Sequence, residues 1–153
     1  MGPAARDVIV VANRQRRRVD LARVRRTVRT ALRALGVWDH ELSLTLVDDR
    51  TIRALNARYR GVRRRTDVLA FPLAGPAAVV GEAIISVETA RRQARALGHS
   101  LGEELDLLCC HACLHLAGYD DREPLEARLM HRREMDLLGR LYERPAPTLH
   151  VGA

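Results

Sequence analysis

One of the least polar stretches of the chain runs from Leu105 to Leu116, and two histidines, His111 and His115, interrupt it four residues apart. Four residues is just over one helical turn, so both imidazoles fall on one helix face, separated by about 40° of rotation. An unsatisfied imidazole in a dry interior costs roughly 1–3 kcal/mol, so each ring needs a partner. Gly118 supplies the left-handed residue that ends such a helix, and Asp121 follows three residues later. Two nitrogens on a rigid helix and an oxygen returning from a turn make a three-ligand metal site with an open position. Nitrogen and oxygen donors in this set favour zinc, although nickel, cobalt or iron would also fit.

The remaining chain has to enclose that helix. A length of 153 residues suits one domain, and 47% hydrophobic content supports an ordered core without disulfides. Short β-branched or alternating runs predict strands at Val8–Ala12, Leu42–Val47, Val68–Phe71 and Ala83–Val87. Helical periodicity predicts α-helices over Leu21–Leu35, capped by Asp20, and from Asp49 as cap through Ile52, Leu55 and Tyr59 to near Gly61. A third runs from Glu88 to Leu97. Ser100 and Glu103 form a capping box for the histidine helix. The last opens at Glu123-Pro124 and continues through Leu125, Leu129, Met135 and Leu138. The expected fold is α+β: one domain over 1–142, a mixed sheet of about four strands with about five helices, and a metal site on a buried helix. Residues 143–153, with Pro145 and Pro147, are expected to form a flexible tail.

Composition narrows the function classes. No run approaches the eighteen apolar residues of a membrane span, and Val8–Ala12 is too short for a signal core, so a cytoplasmic protein is expected. The cysteines Cys109, Cys110 and Cys113 are odd in number, clustered and turned away from the histidine face, and read as small buried hydrophobes. Net charge is +7, with arginine as the only basic residue besides histidine. Arg14, Arg16, Arg17, Arg18, Arg23, Arg25, Arg26, Arg29 and Arg33 crowd the first helical region, where a polyanion contact and a solvated face are equally good readings. Arg58, Arg60, Arg63, Arg64 and Arg65 crowd a loop where phosphate contact is the better reading. His40, His99 and His150 follow no pattern and read as surface residues. His131 on the last helix lacks motif support as a ligand.

The spacing resembles that of zinc proteases with H-E-x-x-H, but Ala112 stands where they carry the glutamate general base. Alanine takes no proton, so peptide hydrolysis by that route is disfavoured. A metal that activates water or polarises an oxygen, beside arginines that clamp an anion, suits a phosphodiester.

The segment His111-Ala112-Cys113-Leu114-His115-Leu116-Ala117-Gly118-Tyr119-Asp120-Asp121 resembles the H-G-x-L-H-L-x-G-Y-D-H signature of the YbeY family. Leu55-Asn56-Ala57-Arg58-Tyr59-Arg60-Gly61, Thr66-Asp67-Val68-Leu69-Ala70-Phe71-Pro72 and Gly81-Glu82-Ala83-Ile84-Ile85-Ser86 resemble its other blocks, in the same order. The resemblance implies a zinc-dependent, single-strand-specific endoribonuclease that matures small-subunit ribosomal RNA ends and takes part in ribosome quality control. It implies one zinc per chain, or another divalent metal, on His111, His115 and position 121, with Arg60 in the substrate cleft. Arg58, Arg63, Arg64 and Arg65 would steer the RNA, and the partners would be ribosomal RNA and the ribosome or its small-subunit proteins. This chain departs from the signature at Asp121, where the family pattern has histidine, and at Ala112 and Glu82. The rival reading of the same residues is a non-catalytic, RNA-binding ribosome-assembly factor with a structural metal.

Overall fold

Alternating burial along β2 (His40–Val47) shows how the sheet is covered: His40, Leu42, Leu44 and Leu46 point into the core, and the residues between them are more exposed. A computed structural model of the protein describes residues 5–60, 67–73 and 78–142, apart from the Arg60 side chain. Its other strands are β1 (Asp7–Asn13), β3 (Val68–Pro72) and β4 (Val79–Ser86). The helices are α1 (Leu21–Ala34), α2 (Asp49–Arg60), α3 (Val87–Leu97), α4 (Leu101–Leu116) and α5 (Pro124–Tyr142). The four strands lie in the order β1-β2-β4-β3, with β1, β2 and β4 parallel and β3 antiparallel on the edge. The expected α+β domain, with a mixed four-stranded sheet and five helices, is thus the observed one.

The main core joins the inward side chains of β1, β2 and β4 to α1, α4 and α5. A smaller cluster on the other side gathers Val47, Ile52 and Leu69, with Leu55, Phe71 and Ile84 packed against it, beneath α2. Nearly every residue of α4 from Glu104 to Leu116 is buried, and only His111 and His115 are partly exposed. Its buried Asp106 accepts from Arg23 (2.8 Å), Thr27 (3.0 Å) and Tyr142 (2.6 Å), tying α1 and the end of α5 to α4. The capping box at Ser100 and Glu103 is formed, and Gly118 (φ 104°) follows the helix end. Among the described residues no helix is long and apolar enough to cross a membrane.

Several expectations shift by a residue or two. Asp48, rather than Asp49, caps α2, accepting from the Thr51 amide at 2.8 Å. Asp49 instead turns inward and accepts from Ser86 and Thr89 hydroxyls, both at 2.6 Å, and from Arg92 at 2.8 Å. Burial pushes the Asp49 carboxyl up, but these donors together hold it well below the ordinary carboxylate range. The strand expected at Ala83–Val87 begins at Val79 and stops at Ser86, because Ser86 is the cap of α3. His40 is not a surface residue. It continues the inward alternation of β2, is 1% exposed, and its Nε2 lies 2.7 Å from Asp7 Oδ1 on β1. His99 is half-buried, and His150 lies outside the described residues.

The first arginine cluster is partly committed to the fold. Arg23 pairs with Asp106, Arg29 and Arg33 with Asp7, and Arg25 donates to the Ile9 carbonyl. The tail at 143–153 lies outside the described residues.

Glu104 breaks the pattern of satisfied polar groups. It is 1% exposed, and neither of its carboxylate oxygens has a hydrogen-bond partner among the described residues. Burial, and then the charge of Asp67, pushes its carboxyl up to about 7. The folded protein therefore binds a proton here more tightly than the unfolded chain does. This contribution is intact below the unfolded pKa of about 4.3 and is lost as pH rises toward 7. Replacing Glu104→Met should raise the melting temperature more at pH 8 than at pH 5, as thermal unfolding at the two pH values would show. Asp49→Ala, which strips three donors of their acceptor, should cost about 2–4 kcal/mol in urea denaturation.

Candidate metal centre

The histidines reach their positions because α4 is buried and ends just before Gly118, where the chain turns. His111 Nε2 and His115 Nε2 lie 3.0 Å apart, and Asp121 Oδ2 stands 3.8 Å from each. The structure thus brings together the three residues read from the sequence as candidate ligands, and they can accommodate a metal ion. Atoms at those separations lie on a circle of radius about 2.1 Å, within the roughly 2.0–2.2 Å of zinc–nitrogen and zinc–oxygen bonds. One ion can therefore touch all three with little rearrangement.

The second nitrogen of each ring explains why the first is free for a ligand role. His111 Nδ1–H donates to Glu134 Oε1, and His115 Nδ1–H donates to the Tyr119 carbonyl at 3.1 Å. Both acceptors favour the tautomer whose Nε2 lone pair faces the gap. Two such lone pairs 3.0 Å apart repel unless a cation or a proton lies between them. Burial draws His111 down, but its hydrogen bond to Glu134 and the Glu134 charge outweigh that, so it titrates above its ordinary value. Burial, then the charge of His111, lowers His115. The two shifts run in opposite directions, so of the two rings His111 holds a proton more tightly.

Glu134 is the site residue the sequence reading missed. It is 1% exposed on α5 and packs among Met130, Leu137 and Leu138. Of the apolar residues through which the last helix was expected to run, Leu125 and Leu129 are 62% and 50% exposed. The buried face carries Met130, Glu134, Leu137 and Leu138, with Glu134 four residues after Met130 and three before Leu137. His131 Nδ1 is 3.7 Å from Glu134 Oε2 and half-exposed, outside the three-ligand group.

The cysteines behave as small hydrophobes. All three are buried and free of disulfides, and burial pushes the Cys113 thiol up to about 12. Arg58 is exposed on α2, its guanidinium 5.5 Å from the Tyr59 ring centre. Arg60 is the last residue of α2 and its side chain lies outside the described residues, as do Arg63, Arg64 and Arg65. Ala112 is buried at 1%, so no general base follows His111.

Comparison with known proteins agrees with this geometry. The family model for Endoribonuclease YbeY matches residues 10–142. An Endoribonuclease YbeY from an Anaeromyxobacter species is 46% identical over 118 residues, covering 75% of this chain and 62% of the relative. The match thus spans about three fifths of that relative's length. The Aquifex aeolicus Endoribonuclease YbeY is 43% identical over 114 residues, covering 72% of this chain and 76% of the relative. The solution structure of TM1509 from Thermotoga maritima superposes with a TM-score of 0.59 at 23% identity, covering 95% of this chain and 99% of that one, which extends the likeness to the fold. With the motif blocks in order and the matched model reaching from β1 to the end of α5, the chain belongs to the YbeY family.

Proposed function

We propose that this chain is a metal-dependent endoribonuclease specific for single-stranded RNA. Its setting is the maturation of small-subunit ribosomal RNA ends and ribosome quality control in the cytoplasm, with ribosomal RNA and the ribosome or its small-subunit proteins as partners. The observation that carries the reading is the convergence of His111 Nε2, His115 Nε2 and Asp121 Oδ2 within 3.8 Å of one another. The names of the relatives support the reaction class.

In this reading His111, His115 and Asp121 hold one divalent ion, zinc by donor type. When bound, it supplies Lewis acidity to a water molecule and to a phosphoryl oxygen. Glu134 fixes the His111 tautomer and orients the ring, and the Tyr119 carbonyl does the same for His115. Arg60 binds the scissile phosphate, while Arg58, Arg63, Arg64 and Arg65 draw the strand in by charge. Asp121, with a 46% exposed side chain, is the most exposed of the three donors and lowers the net charge of the site relative to three histidines.

Purified protein should cleave single-stranded RNA, lose cleavage with chelation, and regain it on adding zinc. Cleavage that persists both after chelation and in Arg60→Ala would sink this mechanism. If chelation sharply lowers the melting temperature, RNA affinity survives and no cleavage is ever seen, the non-catalytic assembly factor is the better description. Glu134→Gln should keep the fold and weaken metal affinity on the order of ten- to a hundredfold, measured by competition with a chromogenic chelator.

A further inference from the structure

Aromatic side chains are scarce in this chain: three tyrosines, one tryptophan and one phenylalanine in 153 residues. Two of them meet at one place. Tyr59, at the end of α2, contacts Phe71 on edge strand β3 edge-to-face, with ring centres 5.5 Å apart and planes inclined by 64°. Tyr59 nevertheless remains 57% exposed. It continues the stripe of Ile52, Leu55 and Asn56 that faces the sheet, but the cluster beneath α2 is small, and the two rings are steeply inclined rather than stacked face to face. The Arg58 guanidinium lies 5.5 Å from the same ring.

We infer that Tyr59, held by Phe71 and flanked by Arg58, is a stacking platform for a base of single-stranded RNA that crosses edge strand β3 from the histidine helix; this rests on the ribonuclease reading above. An edge-to-face contact fixes a ring's orientation while leaving a π face available, and every nucleobase stacks on such a face. The surroundings suit a polyanion. The exposed positions of α2 include Arg50, Arg53 and Arg58, and the helix has no acid beyond its first residue. A protein partner would call for a broader apolar patch than one ring bordered by guanidinium groups.

Edge strand β3 links the platform to the helix that bears the histidines. On β3, Leu69 and Phe71 face α2, while Val68 and Ala70 pack on the α4 side. Gly81 joins the two sides: a Cβ there would lie 2.7 Å from the Phe71 carbonyl oxygen and 2.8 Å from Leu116 Cδ2, next to His115. Because β3 is at the edge of the sheet, nothing is paired beyond it among the described residues, and a flexible strand can pass round it. A base already stacked in a duplex cannot reach this ring, so the platform selects single strands.

The test is equilibrium binding of a labelled oligoadenylate and of the same oligonucleotide carrying abasic positions, without added metal so that no cleavage intervenes. Tyr59→Leu should weaken oligoadenylate binding on the order of tenfold or more, and Tyr59→Phe should retain it. Abasic substitution should weaken the wild type but change Tyr59→Leu little further. The salt dependence should be unaltered in Tyr59→Leu and shallower by about 0.7 in Arg58→Gln. Circular dichroism melts would verify that each variant is folded. If the wild type binds the oligonucleotide and Tyr59→Leu binds it equally, or if abasic positions cost the wild type nothing, the platform is wrong. Unchanged RNA binding with an altered sedimentation coefficient would assign the ring to a protein contact instead. If the wild type neither binds nor cleaves single-stranded RNA, the ribonuclease reading fails before this one is reached.

Discussion

The structure is organised by the cost of burying a helix that carries polar groups. α4 is enclosed by α1, α3, α5 and the sheet, so each polar atom on it must find a partner from another element or from the turn that follows. Asp106 takes Arg23, Thr27 and Tyr142; His111 takes Glu134; His115 takes the Tyr119 carbonyl. These assignments fix how α1 and α5 dock. They also aim both Nε2 atoms at one point. The same constraint that packs the domain therefore sets the geometry of the candidate metal centre, and Glu104 is the one carboxyl on the helix without a partner among the described residues.

Much of this was legible in the residues, for physical reasons that can be named. Caps with short side chains at Asp20 and Ser100 and the glycine at Gly118 mark helix ends locally, so those boundaries hold. His111, His115 and Asp121 sit within one helical stretch and its turn, so spacing alone brings them close. Glu134 was out of reach because its role depends on how α5 is rotated against α4, a tertiary fact. His40 was misread because a histidine at the first position of a strand gives no signal until the strand's start is known. The paired acids Asp48 and Asp49 offered two equivalent caps, and only the Ser86, Thr89 and Arg92 donors decide which one turns inward.

Charge illustrates the same division. The sequence shows an arginine-rich first helix but not what each side chain does. Asp7 and Asp106 gather three of these arginines into contacts between elements, which fixes their guanidinium groups and removes them from a freely available cationic face. On α2 the acid of the helix is Asp49 in its first turn, so Arg58 near the other end has no acid beside it on its own helix.

The three candidate ligands lie between residues 111 and 121, whereas the carboxylate that orients His111 comes from 23 positions further along. An ion held by them ties together only a short segment, and closing a short loop whose ends the helix already holds near each other removes little chain entropy. The long-range connection is made by Glu134. Because that connection uses His111 Nδ1 and not the Nε2 atom of the candidate centre, losing an ion from the three candidate ligands would leave the seam between α4 and α5 with its own hydrogen bond.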